Sequence, residues 1–374
     1  MGKVGKILIV GGGIGGMAAG IALRDAGIAV DLIDLDPNWR VYGAGITITG
    51  VTLRAYKRLG MIEDLKTHGA ITNGSRISRF DGVFLHDLDE PALEEGLPAT
   101  GGILRPVLHH LMQQRLKARG VNVRLGLTVD SLVEGADGVE VTFSDGTRGV
   151  WDVVVGADSV ASKVRSLVFP QMQAPVETGQ GCWRVTAARP PGFDRGEFFM
   201  GHRYPAGITA CSADNVYLWL LTPHTPGTWV PEEEMYDRMR EHLAEFGGNA
   251  GWIRDHMQRT DWVNYRPLAA ILQPRPWNTG RIVLLGDAVH ATTPHLASGA
   301  GMAVESALVL AEELARPDRT VGEALDAYTA RRYPRCEIVV STSIAVGQLQ
   351  LAGGRPDEVG KLIGGGLHRL AGPF

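Results

Sequence analysis

The beginning of the chain restricts its fold more than any other stretch. Lys6-Ile-Leu-Ile-Val10 leads into Gly11-Gly-Gly13-Ile14-Gly15-Gly16 and then into Met17-Ala-Ala-Gly-Ile-Ala-Leu-Arg24. The first segment reads as a buried parallel strand. Gly11, Gly13 and Gly16 stand at the G-x-G-x-x-G spacing. In that arrangement the first glycine permits a tight turn, the second lets a pyrophosphate approach the backbone, and the third lets the helix pack close to the strand. Ile14, Met17, Ala18, Ile21 and Ala22 supply a helical apolar stripe, and Gly27 stands where a glycine would end the helix. A helix N-terminus presents free N–H groups and a positive dipole end, which suits phosphate. The stretch predicts a dinucleotide site without saying which dinucleotide.

Ala29-Val-Asp-Leu-Ile-Asp34 reads as a second parallel strand. Asp34 lies 18 residues beyond Gly16, near the place, about 20 on, from which a carboxylate takes ribose hydroxyls. Asp36 competes, but it precedes Pro37 in a turn, whereas Asp34 ends the apolar run. Gly43-Ala-Gly45-Ile46 is a small-residue segment that lets something large lie against backbone. Arg105-Pro106 opens a helix with Leu108, Leu111, Met112 and Leu116 on one face. Residues 121–155 read as strands, with hairpin turns at Asp137-Gly138 and Asp145-Gly146. Residues 176–223 alternate like an antiparallel sheet. Near the end, Arg281-Ile-Val-Leu-Leu285 runs into Gly286-Asp287-Ala288, then a loop, then a small-residue helix from Gly299. Further helices are predicted near 321–350 and 356–370.

This order predicts an α/β protein: a Rossmann-like domain interrupted by a mainly antiparallel β-sheet domain, with C-terminal helices. The boundaries read as 1–75, 101–170 and 277–320 for the nucleotide domain, 76–100 and 171–276 for the second domain, and 321–374 for the closing helices.

Composition excludes several classes. A net charge of −4 gives no reason for nucleic acid or an anionic membrane as partner. Cys182, Cys211 and Cys336 lie far apart with no C-x-x-C, so neither a disulfide frame nor a metal site is expected, and a reducing cytoplasm fits. The lysines and apolar residues at the start could pass for a signal peptide, but the glycine run argues against an h-region. No uninterrupted apolar run of about 18 residues appears, so no transmembrane helix is expected.

A lone G-x-G-x-x-G is shared by nicotinamide and flavin proteins. Two further stretches narrow it. Gly286-Asp287-Ala288-Val289-His290, with Pro294 and Gly299-Ala-Gly301, follows a hydrophobic strand; Gly156-Ala157-Asp158, ending in Ser162-x-x-Arg165, follows another. The three together resemble the FAD-dependent aromatic hydroxylases, the class A flavoprotein monooxygenases of the 4-hydroxybenzoate and salicylate hydroxylase type. The resemblance runs from about residue 5 to 335. It implies that Gly11, Gly13, Ile14 and Gly15 hold the FAD pyrophosphate and Asp34 the adenosine ribose. Gly45 would lie along the flavin, Arg105 near the ribityl and phosphate region, and Val129 would contact adenine through its backbone. Asp287 would bind the ribityl chain or a hydroxyl beside the phosphates. Pro294 and the residues to Gly299 and Ala300 would line the isoalloxazine. Asp158 would serve FAD and NAD(P)H handling. The chain departs from the family pattern at Ser159, where glycine is usual, at Ala297-Ser298-Gly299, where Gly-Gln-Gly is usual, and at Ser306, where aspartate often follows the glutamate.

The implied reaction is NAD(P)H-dependent hydroxylation of a phenolic or N-heteroaromatic compound with molecular oxygen, through a flavin hydroperoxide. NADH and NADPH remain alternatives, as do a monomer and a homodimer. An FAD-dependent reductase without oxygen insertion and a non-catalytic FAD- or aromatic-binding protein are the competing readings. A general base taking a phenol proton would help. His295 is the first candidate because it adjoins Pro294, which should lie at the ring. Arg184 is a candidate anion anchor; His202, Tyr204, Tyr217 and Trp219 are candidate substrate contacts on predicted strands, where one residue of register decides which face they occupy.

Overall fold

The computed structural model describes residues 4–41, 43–90, 92–136 and 138–374. The Lys6–Val10 strand lies inside a six-stranded sheet ordered Asn278–Thr279, Ile282–Leu284, Val153–Gly156, Lys6–Val10, Ala29–Asp34, Asn122–Leu125. All neighbours are parallel except the first pair. Ile7, Leu8, Ile9, Val153, Val154 and Val155 are fully buried, as strands covered on both faces must be. The Ile14–Asp25 helix packs against the Gly299–Leu314 helix, which is covered in turn by the 31-residue Val321–Leu351 helix.

The register brings distant sequence together. Val10 pairs with Gly156, and Gly156 pairs with Leu284. The Ala157 N–H donates to Val10 O at 2.8 Å, and the Leu285 N–H donates to Gly156 O at 2.9 Å. Three parallel strands therefore end side by side, and the loops at 11–16, 156–158 and 286–288 leave from one edge. Gly11 takes φ +107°, and a Cβ there would collide with Ala157 O. A Cβ at Gly16 would strike Gly11 O, so the third glycine sets how closely the helix follows its strand.

The second large sheet has seven strands, ordered Val263–Ala270, Val176–Ala188, Asn215–Pro223, Ala206–Ala210, Gly196–Met200, Gly74–Arg79, Phe84–Asp89. It is antiparallel except where Gly196–Met200 meets Gly74–Arg79. Alternation divides its faces. Trp183, Val185, Val216, Leu218 and Leu220 form one core with Met235, Met239 and Ile253 of the helices Glu232–His242 and Gly248–His256. Cys182, Tyr217, Trp219 and Leu221 face the other way, toward the half built on the parallel sheet. Thr47 and Thr209 hydrogen-bond across that junction at 2.8 Å. A small sheet of Gly45–Thr49, Thr100–Leu104 and Ala70–Thr72 lies between the two halves, and Val129–Glu134, Val139–Phe143 and Arg148–Trp151 form another. The Asp145-Gly146 turn is present, with Gly146 N–H donating to Phe143 O; Asp137 of the other expected turn lies outside the described residues.

Buried charge is matched where it is structural. Glu305, fully buried, receives Arg332 Nη1 at 2.7 Å and Arg335 Nη2 at 2.8 Å. Pairing of this kind offsets the cost of desolvating each ion.

Among the described residues, the non-glycines with positive φ are Trp39 (48°), Ser159 (73°) and Ala297 (46°). Two of them are the positions where the sequence replaces a usual glycine. An L-residue in this region costs about 1–2 kcal/mol. Ser159 is exposed, so Ser159→Gly is expected to stabilise the chain by up to about 1 kcal/mol, read as a higher Tm. A lower Tm would contradict the strain.

Candidate functional site

A cleft opens where the parallel strands end, the usual place for a ligand in such a sheet. At one end lies the glycine loop. Gly13 is exposed, and a Cβ placed on it would meet nothing within 4 Å. Ile14 and Gly15 begin the helix beside it, where the first N–H groups have no intrahelical acceptor. Asp34 ends the next strand. Its Oδ2 accepts the Gly12 N–H at 2.7 Å and its Oδ1 the Asp36 N–H at 2.8 Å. Each oxygen keeps capacity for a sugar hydroxyl. Leu127 N–H donates to Asp34 O, which brings the start of the Val129–Glu134 strand to this end; the Val129 side chain is in the core. Trp39 had no signal in the sequence. It closes over the loop, with its indole N–H donating to Gly12 O at 2.9 Å.

The middle of the cleft holds two charged groups without hydrogen-bond partners among the described residues. Arg105 opens the Arg105–Ala118 helix, with its N–H on Ala44 O. Its side chain crosses Gly43, where a Cβ would fall 2.7 Å from Arg105 Cδ. No described residue accepts from its guanidinium. Burial lowers the Arg105 pKa, as does neighbouring Arg184. Asp287 follows Gly286, whose φ is +66°. Its side chain is exposed to the cleft and takes no hydrogen bond from a described residue. Surrounding protein still raises its carboxyl above the ordinary range, with Arg105 opposing.

At the far end the Pro294–Leu296 turn packs on the Val321–Leu351 and Pro356–Leu370 helices, and the Gly299–Leu314 helix begins just after it. Pro294 is exposed, and Gly299 and Ala300 are half-buried. Opposite them, Gly45 is pressed against the sheet: a Cβ there would fall 2.6 Å from Tyr217 Cβ. Tyr217 OH accepts from Arg184 Nε at 3.1 Å. Burial pushes the Tyr217 phenol up to about 12, with Arg184 opposing, so it stays protonated. Arg184 makes no other hydrogen bond to a described residue. Trp219, Cys182, Leu221 and Leu268 form an apolar wall beside this pair.

Several expected residues have other occupations. Asp158 receives Ser162 Oγ at 2.5 Å and the N–H groups of Lys163 and Val164 at 2.7 and 3.0 Å. It caps a short helix, and Arg165 of that helix donates to Ala288 O at 2.7 Å. His202 and Tyr204 lie in the 201–205 connection, not on strands: His202 is exposed, and Tyr204 packs on His242 in the core behind the sheet. The strand reading of these two is corrected by the sharp turn there, where a Cβ on Gly201 would collide with Tyr204 O. His295 has both ring nitrogens engaged, Nδ1 with Thr293 Oγ1 at 2.8 Å and Nε2 with Gln350 Oε1 at 3.2 Å. Burial pushes its pKa down to about 4, with the Gln350 bond opposing. It is neutral near pH 7, and its lone pair is taken.

An exposed glycine at a helix start, a carboxylate with spare lone pairs, and a guanidinium and a carboxylate that hydrogen-bond to no described residue fit the pyrophosphate, ribose and ribityl groups of FAD. Residues 5–343 match the FAD binding domain family. The chain belongs to that family. It is 33% identical over 349 residues to the putative FAD-dependent monooxygenase YetM of Bacillus subtilis, covering 93% of this chain and 94% of the relative. It is 30% identical to the 2-heptyl-3-hydroxy-4(1H)-quinolone synthase of Pseudomonas aeruginosa, covering 92% and 89%. Its fold is that of Klebsiella pneumoniae HpxO, solved as a variant complexed with FAD: the TM-score is 0.86 at 24% identity, covering 98% and 99%.

The raised Asp287 carboxyl has a consequence for stability. Its folded value lies above its unfolded one, so the ionised form opposes folding. That contribution is absent below the ordinary carboxylate range of about 4 and grows as pH rises through the raised value. FAD-free Asp287→Asn is therefore expected to melt above the wild type near neutral pH, with the gap closing at acid pH. The same change is expected to weaken FAD binding by roughly 1–3 kcal/mol, the loss of a charge-assisted bond. Equal melting and equal FAD affinity would contradict the placement of Asp287.

Proposed function

We propose that this FAD-dependent monooxygenase hydroxylates a small phenolic or N-heteroaromatic compound whose ring oxygen is anionic when bound. The observation that carries the anionic oxygen is Arg184, a half-buried guanidinium with a phenol as its sole partner among the described residues. One mole each of substrate, dioxygen and NAD(P)H, with a proton, gives hydroxylated product, water and NAD(P)+. Gly13, Ile14, Gly15, Asp34, Arg105 and Asp287 would hold FAD, which when bound would supply the hydride acceptance and dioxygen activation of this reaction.

The chain's own residues orient and ionise the ring. Arg184 Nη1 and Nη2 offer donors to a ring oxygen, and the Tyr217 O–H, which accepts from Arg184 Nε, adds its proton. A cation beside a phenol or enol favours its ionised form, and the ionised ring is the better attacker of an electrophilic oxygen. This removes the need for His295 as a base. Cys182, Trp219, Leu221 and Leu268 keep water from the ring. The Gly299–Leu314 helix sets its positive end at the cleft, where it would stabilise negative charge on the reduced ring. The seven-stranded sheet serves as the substrate half, and residues 11–16, 34, 105 and 287 as the cofactor half. A quinolone product in the name of one relative accords with an N-heteroaromatic substrate.

A panel of phenols, salicylates and hydroxypyridines, scored by the rate of flavin reduction, tests the reading. Compounds whose ring oxygen ionises near neutral pH are expected to give the largest stimulation. With the best of them, Arg184→Leu is expected to raise KM by about 10–100-fold, the worth of a hydrogen bond to a charged group. An unchanged KM would contradict the anchor.

A further inference from the structure

The turn at 294–298 is held in a conformation that its own sequence disfavours. Ala297 sits at φ +46°, ψ +28°, where a glycine would be free of strain. Within the turn, Ala297 N–H donates to Pro294 O at 2.8 Å and Ser298 Oγ donates to Leu296 O at 2.7 Å. These bonds close the turn but do not attach it to anything.

The attachment comes from two side chains aimed outward. Leu296 is 1% exposed and wedges toward the Pro356–Leu370 helix, where a Cβ on Gly366 would fall 3.3 Å from its Cδ1. His295 bonds to Gln350 in the last turn of the Val321–Leu351 helix. Gln350 Oε1 also accepts from Gln180 Nε2 at 3.1 Å. Gln180 lies on the same strand as Arg184, four residues away and on the same face. Gly347, one helical turn before Gln350, admits both partners: a Cβ there would fall 2.6 Å from Gln180 Oε1 and 3.1 Å from the His295 ring. Gln180 is 3% exposed, and its Oε1 has no hydrogen-bond partner among the described residues. The chain therefore tolerates an unsatisfied buried acceptor to keep this junction closed.

We propose that His295 and Gln350 are positioning residues: they latch the strained turn to the long C-terminal helix and so fix the backbone N–H groups that follow it, at Gly299 and Ala300, against the flavin edge. The latch rests on the reading that this turn lies at the flavin. Gln350 is its node, because one carbonyl oxygen there receives a donor from the turn and another from the substrate sheet. Its identity follows from the tautomer. With Nδ1 accepting from Thr293 Oγ1, Nε2 carries the proton and needs an acceptor, which Gln350 Oε1 supplies.

The test uses the whole 374-residue chain loaded with FAD, read by FAD Kd, the visible spectrum and the reduction potential of the bound flavin. Gln350→Leu keeps size and removes the acceptor. It is expected to weaken FAD binding by about tenfold, the worth of one hydrogen bond, and to shift both spectrum and potential. Gln350→Glu, which retains an acceptor, is expected to stay near wild type. Adding Ala297→Gly to Gln350→Leu relieves the strain that the latch opposes, and is expected to recover the wild-type spectrum. Circular dichroism and Tm confirm that each variant is folded; should Gln350→Leu fail to fold, His295→Leu, which removes the donor to Gln350, replaces it with the same comparison. Wild-type spectrum, potential and affinity in folded Gln350→Leu would overturn the latch. If Asp287→Ala also leaves FAD binding unchanged, the placement of the flavin itself is wrong, which is a separate failure.

Discussion

The pairing of Val10 with Gly156 and of Gly156 with Leu284 is the constraint on which the site depends. Each strand alone delivers a loop of no particular use. Placed in parallel and in register, the three end at one edge, and their loops form a single cleft. Gly11 has to be glycine because the neighbouring loop passes over it. The long helix Gly299–Leu314 then lies across Ile14–Asp25, so two helix starts approach the same cleft from its opposite ends.

Charge is treated in two ways in this molecule. Glu305 sits at the centre of a closed set with Arg332 and Arg335, and its role is to join helices. Arg105, Asp287 and Arg184 face the cleft without such closure. Leaving them unmatched costs stability in the free chain, and a ligand with phosphate, sugar hydroxyls and an anionic oxygen would supply the missing partners. The same contrast separates the strained residues: Trp39, Ser159 and Ala297 all lie on loops around the cleft, where backbone strain concentrates in functional regions.

The cofactor half was legible in the sequence because its chemistry is written in short local patterns. Gly11, Gly13 and Gly16 have fixed spacing, Asp34 ends one apolar strand, and Asp287 follows another after Gly286. Ser159 and Ala297 were visible as departures, and the structure supplies their meaning as backbone conformation. The substrate half was legible only as a sheet. Arg184, Tyr217 and Trp219 share the cleft face because strand period and register place them there, whereas His202 and Tyr204 fall in a turn that alternation could not mark. His295 was legible as a neighbour of Pro294 but not as a latch. Its partner Gln350 lies 55 residues away on a helix that carries no motif, and Trp39 reaches Gly12 across a loop with no periodic signal.

Hydroxylation requires that one atom of dioxygen reach the aromatic substrate. Turnover under labelled dioxygen, with NAD(P)H and the compound that most stimulates flavin reduction, measures this directly. Each product molecule is expected to carry one labelled oxygen atom. Label confined to peroxide and water for every compound that stimulates NAD(P)H oxidation would contradict it.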